Sequence, residues 1–313
     1  MKVFFAGATG VLGRRAVSAM RQRGHDVTAV ARTTEKADML RHLGAMPVTI
    51  DLFDRDAVLR AVAGHDAVVH AATSIPSPTR MALRRAWAPN DRLRAEATPL
   101  LAEAASIAGA TVFVKESITF SYADGRDEWL DEQAPLDPAA NLTSAVVAEG
   151  VTEQYTDAGA GRRGVVLRYG MFYGPDSDAT IMTVKAARRG IASALGARHN
   201  FVSSIHTDDA ATALAAGLDV PAGTYNVTDD EPVTWEDYFA ALAAALGKRR
   251  LRFPPAIVAK AGGQGTAALA RSQRVTNRRF RDASGWAPSY PSVREGWPAV
   301  VEAIGAGASE ALR

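Results

Sequence analysis

Three glycines at a spacing of three, Gly7-Ala8-Thr9-Gly10-Val11-Leu12-Gly13, follow the apolar run Val3 to Ala6 and open the amphipathic segment Val11 to Arg23. No other feature of the chain constrains its fold as tightly as this junction of strand and helix. Gly7 permits a sharp turn, Gly10 lets the backbone approach a pyrophosphate, and Gly13 allows the helix to close on the strand. The helix N-terminus adds amide donors and the positive end of its dipole. Together with Thr9, Val11 and Leu12, the three glycines form a candidate phosphate loop. A tight turn would ask for glycine on structural grounds alone, but this one is followed by a complete strand, helix, strand unit, the context in which such a loop holds a dinucleotide.

The alternation continues through the first two-thirds of the chain. Apolar runs at Val3 to Ala6, Val27 to Ala31, Pro47 to Ile50, Ala67 to Ala71, Val112 to Val114 and Val165 to Arg168 read as strands. Between them, Val11 to Arg23, Glu35 to Leu43, Arg55 to Val62, Asp91 to Ala108 and Thr143 to Thr156 read as helices. Gly10, Thr34 and Asp54 mark helix entries, and Gly24 and Gly44 mark exits. This is the pattern of an α/β fold, a Rossmann-type doubly wound parallel sheet. After Gly174-Pro175 the order loosens: a helix near Thr180 to Arg189, a strand at Phe201 to Ile205, helices at Asp208 to Leu218 and Trp235 to Leu246, and a returning strand at Thr224 to Val227. The expected division is a nucleotide-binding domain over 1–174 and 207–228, a smaller C-terminal substrate-binding lobe over 175–206 and 229–304, and a frayed tail over 305–313.

Composition narrows the chemistry. The absence of cysteine among 313 residues removes thiolate nucleophiles, disulfides and Cys-ligated metals, so redox chemistry must be borrowed from a cofactor. The six histidines are scattered, with neither a His-x-x-x-His pair nor an acidic cluster, which argues against a catalytic metal. A net charge of +2 gives no basic field for nucleic acid. No run approaches the roughly 18 apolar residues of a membrane span. The expectation is a cytoplasmic protein acting on a small molecule, with neither nucleic acid nor membrane as a partner.

Cofactor preference is read at the end of the second strand. Val30-Ala31-Arg32-Thr33-Thr34 holds no carboxylate for a ribose 2′-hydroxyl, and Arg32 offers a guanidinium where a 2′-phosphate would lie. NADP(H) is therefore expected over NAD, the alternative being an arginine that is merely solvated.

These features, with Asp51-Leu52, Ala71-Ala72-Thr73, Leu167 to Pro175, Ile205 to Ala210 and Tyr225-Asn226-Val227, resemble the extended short-chain dehydrogenase/reductase superfamily in its epimerase/dehydratase branch. The resemblance implies that Asp51 and Leu52 flank the adenine. It sets Ala71, Ala72 and Thr73 along the inner ribose and diphosphate, and Tyr169, Gly170, Met171 and Phe172 beside the nicotinamide. It also exposes a departure. Members normally carry Tyr-x-x-x-Lys eight and four residues before a glutamate, the Tyr handling the substrate proton and the Lys lowering its pKa. Counted back from Glu149, those slots hold Asn141 and Ala145. The serine slot falls at Ile118, leaving the flanking Ser117 and Thr119, with Tyr122, as candidate catalytic hydroxyls.

Three activities are compatible with that loss. One is an NADPH-dependent ketoreductase whose substrate carries its own acid, as a ketone beside a phenolic hydroxyl does; atypical superfamily members acting on angucyclinone-like aromatic polyketides resemble this pattern. The others are a nucleotide-bound isomerase or cyclase, and an inactive sensor of cofactor ratio. Ser74, Met81, Trp87, Trp129, Tyr173 and His206 are candidates for the substrate wall. The alternatives are packing for the aromatic residues and helix initiation at Thr207 or Asp208 for the segment containing His206. The basic stretch Arg271, Arg274, Arg278, Arg279 and Arg281 reads as solvated surface. Helices 91–108 and 143–156 are candidates for pairing two copies into a homodimer.

Overall fold

The computed structural model describes residues 1–77, 80–81, 83–159, 161–194, 196–254 and 268–310. Seven parallel strands form the central sheet: β1 (Lys2–Ala6), β2 (Asp26–Val30), β3 (Met46–Val48), β4 (Ala67–His70), β5 (Val112–Ile118), β7 (Arg163–Tyr169) and β11 (Gly223–Val227). Their order is β11-β7-β5-β4-β1-β2-β3, so the chain runs outward one way from β1 to β3 and then crosses to β4 on the other side. That reversal opens a crevice at the carboxyl ends of β1 and β4, where ligands meet such sheets.

Alternate residues of one strand feed opposite faces. Val3 and Phe5 pack with Ala16, Val17 and Met20 of α1 (Val11–Gln22), Leu40 of α2 (Thr34–His42) and Leu214 of α8 (Thr207–Ala216). Phe4 and Ala6 pack with Val58 of α3 (Arg55–Val62), Leu101 of α5 (Thr98–Ala108) and Tyr155 of α6 (Thr143–Asp157). Each face is a continuous apolar layer, as a doubly covered parallel sheet requires. On α5 and α6, the helices expected to meet a second copy, Ile107 and Val147 stand exposed. Among the described residues no helix is long and apolar enough to cross a membrane.

The remaining elements gather over the carboxyl edge. Three two-stranded ribbons pair β8 (Met171–Tyr173) with β10 (Ser204–His206), β9 (Phe201–Val202) with β12 (Val233–Thr234), and β6 (Trp129–Leu130) with β13 (Arg274–Val275). Helices α7 (Asp178–Arg188), α9 (Trp235–Ala245) and α11 (Val293–Glu310) enclose a second core containing Val184, Phe239, Leu242 and Trp297. Helix α10 (Arg278–Ser284) lies instead against the sheet, where Phe280 and Trp286 join the first core beside Tyr225. These two aromatics, expected in the second lobe, are therefore shared with the sheet. Helix α11 runs unbroken to Glu310, across part of the tail expected over 305–313; residues 311–313 lie outside the described residues.

Several boundaries shift for identifiable reasons. β5 continues beyond Val114 through Lys115, Glu116 and Ser117 to Ile118, because β7 pairs with it along this whole stretch, with β4 on the other side as far as Lys115. The single helix expected from Asp91 begins earlier, as α4 (Ala88–Arg92), and passes through a π turn at Leu93–Ala97 before α5. The strand expected over 201–205 splits into β9 and β10, which turn to different partners. Thr33, not Thr34, caps α2 by accepting from the Lys36 amide at 3.3 Å.

Candidate active site

The glycine loop is built to hold something other than side chains. Gly7 has φ of +109°, and a Cβ there would fall 2.3 Å from the Ala71 carbonyl carbon. A Cβ on Gly13 would fall 2.1 Å from the Gly7 oxygen. Those two glycines let β1, the exit of β4 and α1 nest together. Gly10 differs: it has an ordinary extended backbone, and its Cβ would meet nothing nearer than the Gly7 oxygen at 3.6 Å. No side chain caps α1, so its N-terminal end is left for an anion. Thr9 and Val11 flank Gly10 in sequence, Leu12 is buried in the first core, and the backbone of Ala71 and Ala72, leaving β4 toward Thr73, lies against Gly7. Arg32 is exposed just beyond β2, with no ion pair among the described residues, and Asp51 forms a local turn by accepting from the Phe53 amide at 3.0 Å, with Leu52 half-buried next to it. The open cradle and the unpaired Arg32 fit a dinucleotide that carries a 2′-phosphate.

Deeper along the carboxyl edge lies a fixed polar network. Arg168 on β7 donates from Nε and Nη2 to the two Glu149 carboxylate oxygens at 3.0 and 2.6 Å, and from Nη1 to the Tyr122 hydroxyl at 2.8 Å. Tyr122 in turn donates to Asn226 Oδ1 at 2.8 Å, and the Ser117 hydroxyl donates to Glu149 Oε1 at 2.5 Å. Burial pushes the Tyr122 phenol up to about 12, against the opposing pull of Arg168. Two of the three expected catalytic hydroxyls, Ser117 and Tyr122, are therefore committed to holding α6, β7 and β11 together. Thr119 differs: it is buried, just past the end of β5, and its hydroxyl has no partner. Asn141 and Ala145, at the start of α6, are buried and bring no acid to the site.

Other expected site residues are drawn into packing. Tyr169 is fully buried, its ring 5.3 Å from Phe172 and its hydroxyl donating to the Ala210 carbonyl at 3.3 Å, so its side chain belongs to the core. Gly170 is required for close packing, since a Cβ there would fall 2.7 Å from the Ser203 oxygen; Met171 leans on the second core, and Phe172 stays half-buried. Tyr173 is wedged between His206 and Trp297. His206 itself caps α8, its Nδ1 accepting from the Asp208 amide at 3.2 Å, which overturns the expectation that Thr207 or Asp208 does so. Burial lowers the pKa of His206, in keeping with a neutral acceptor ring.

Trp129 is half-exposed with the Arg274 guanidinium stacked 4.2 Å over its ring, and Trp87 is buried, donating from its indole to the Met81 carbonyl at 2.9 Å. Of the expected wall, Ser74 lies next to the loop leaving β4, where its amide donates to Asn90 Oδ1 at 3.0 Å. The basic stretch is not simply solvated: Arg271 pairs with Asp137 at 2.5 Å, Arg281 pairs with Asp230 at 2.8 Å, and Arg279 lies over Tyr225.

Sequence reasoning missed a group of buried polar residues between β4, β5 and the π turn. His70 is fully buried, its Nε2 set against the Leu93 carbonyl at 3.2 Å, and its pKa is lowered by burial and then by Lys115. Lys115 is fully buried and contacts Glu116 Oε2 at 3.4 Å; burial brings its ammonium down to about 8. Arg94 is 2 % exposed and unpaired. No signal in the sequence marks them, since Lys115 and Glu116 read as the polar end of the run Val112 to Val114.

A family profile described as NAD(P)H-binding matches residues 7–156. A 3-diazoavenalumate denitrifying reductase from a Streptomyces species is 38% identical over 311 residues, covering 95% of this chain and 99% of that protein. A 4-hydroxy-2-methyl-3-oxo-4-farnesyl-3,4-dihydroquinoline-1-oxide ketoreductase from Stigmatella aurantiaca is 28% identical over 79% of this chain and 74% of its own. Among solved structures, the human epimerase family protein SDR39U1 with NADPH superposes with a TM-score of 0.80 at 25% identity, covering 96% of this chain and 99% of that one.

Proposed function

The chain belongs to the extended short-chain dehydrogenase/reductases and is an NAD(P)H-dependent oxidoreductase, and from that premise we propose that it reduces a small aromatic electrophile without drawing a proton from the protein. The observation that carries this reading is the emptied acid position: Asn141 and Ala145 occupy the Tyr and Lys slots, and the Ser117 and Tyr122 hydroxyls are spent on Glu149, Arg168 and Asn226. The cofactor, when bound, supplies a hydride: a ketone that takes it becomes an alkoxide needing a proton, whereas an arenediazonium that takes it becomes the arene, losing N2 and consuming no proton.

Of these acceptors the diazonium is preferred, because the reductase named for a diazo substrate matches almost the whole chain at 38% identity. The aromatic ketone bearing its own phenolic acid is the second reading, favoured by the ketoreductase relative. The chain's own part is to hold the dinucleotide on the Gly7 to Gly13 loop with Arg32 at the 2′-phosphate, and to keep the acceptor against the end of β5, where Thr119 offers a free hydroxyl.

The test is to give the purified protein and NADPH either 4-hydroxybenzenediazonium or 2′-hydroxyacetophenone, with a cofactor-loop variant as the background control. One N2 and one arene per NADPH oxidised is the expected result. Oxidation with the ketone alone transfers the reading to ketone reduction, and oxidation with neither removes it.

A further inference from the structure

Three cations lie almost wholly inside the carboxyl half of this sheet, and two have counter-ions. Arg168 is paired with Glu149, and Lys115 with Glu116. Among the described residues Arg94 has no carboxylate partner, and its Nε and Nη1 are buried without an acceptor. A buried guanidinium left this way is unfavourable, since both its charge and its donors have lost water. Arg94 lies close enough to His70 and Lys115 to act on both, with the Glu116 and Glu149 carboxylates also acting on Lys115.

The placement of Arg94 is as informative as its charge. It sits in the π turn at Leu93–Ala97, a distortion that recurs at functional sites because it re-aims one side chain. Asn90, four residues earlier and on the same helix face, gives its oxygen to the Ser74 amide beside the cofactor loop, while its Nδ2 is buried without a partner. Asp91 accepts from the Ser144 hydroxyl at 2.7 Å, fastening this helix to α6 one residue before Ala145. The buried Thr119 hydroxyl, at the end of β5, is likewise unpartnered.

We propose that Arg94, assisted by Asn90, is the anchor for a carboxylate on the acceptor. This rests on the reductase reading, because it assigns the anion to the molecule being reduced. A carboxylate oxygen at either of these donors both satisfies it and cancels the charge, whereas a neutral hydroxyl does only the first. The acceptor is thereby an aromatic acid, gripped by its anionic end at the π turn while its reducible group lies toward Thr119.

Benzoate and benzamide, which share a shape and differ in charge, test this on the NADP+-loaded protein by titration calorimetry, alongside NADPH affinity measured by fluorescence. Benzoate is expected to bind at least about tenfold more tightly than benzamide. Arg94→Gln should erase that difference while leaving NADPH affinity within about twofold. Equal binding of the two probes by the wild type, or no binding of either, overturns the assignment without any variant. A benzoate preference surviving in Arg94→Gln also overturns it, and so does a loss of NADPH affinity in that variant with benzoate unaffected, which would give the guanidinium to the cofactor. Arg94→Lys, which keeps the charge, should retain part of the preference if Arg94→Gln fails to fold. The reductase reading fails separately, as wild-type protein that binds benzoate yet oxidises NADPH with no acceptor.

Discussion

Gly10→Ala separates the cofactor's needs from the fold's. At Gly13 an added Cβ would lie 2.1 Å from the Gly7 oxygen, a collision with backbone that must unfold the loop. At Gly10 the nearest atom would be 3.6 Å away, and the backbone there, φ −81° and ψ 178°, is one that alanine adopts freely. Alanine is a poorer N-cap than glycine by about 0.5 to 1 kcal/mol, but it restricts the unfolded chain by about 0.4 to 1 kcal/mol, so the two effects offset. The cofactor-free variant should melt close to the wild type. Its methyl group would nonetheless occupy the space open to the pyrophosphate, and forcing a methyl into a packed contact costs about 1 to 3 kcal/mol, roughly five- to 150-fold in affinity. Thermal melts with and without NADPH read both quantities, because a ligand raises the melting temperature only as far as it binds. Wild-type NADPH affinity in Gly10→Ala would refute the loop as the phosphate site, and a collapse of the cofactor-free melt would refute the steric argument.

Arg32→Ala should weaken NADPH by about 1 to 3 kcal/mol and leave NADH nearly unchanged, as fluorescence titration with each will show; equal losses would detach Arg32 from the 2′-phosphate. Tyr122→Phe should cost about 1 to 3 kcal/mol in urea unfolding, since Arg168 and Asn226 lose a buried partner, while NADPH oxidation stays within about threefold; a collapse in rate at unchanged stability would make Tyr122 the proton donor. Lys115 releases its proton at about 8 in the native protein against 10.5 in an exposed lysine. Between those values the unfolded chain binds the extra proton, so native stability should rise with pH by about 3 kcal/mol in total, and urea melts of Lys115→Met should lack that rise.

The sheet was legible because its apolar runs are short, its glycines punctuate the turns and its helices carry one-sided patterns; β1, α1 and α3 lie where those signals put them. The glycine turn between β1 and α1 was equally legible, since Gly7 and Gly13 serve local backbone geometry. The interior of the acceptor site was not. Lys115, Glu116 and Ser117 look like the end of a strand when hydrophobicity is the only guide, and it takes β7 along all three, with β4 beside Lys115, to carry them inside. Tyr122, Tyr169 and Tyr173 follow strands that point at a cleft, yet which hydroxyl stays free depends on Arg168, Ala210 and Ser292, brought from distant parts of the chain. Arg94 carries no local mark at all: its meaning lies in the counter-ion that folding fails to supply.

The central claim, reduction without a proton from the protein, meets its most direct test in single-turnover NADPH oxidation with 4-hydroxybenzenediazonium, followed by stopped flow in H2O and in D2O. With no acid acting in the rate-limiting step, the ratio of the two rates should be close to one, and Thr119→Val should leave it there. A solvent isotope effect of about 2 or more, abolished together with turnover in Thr119→Val, would place a protein proton in the transition state and contradict the account.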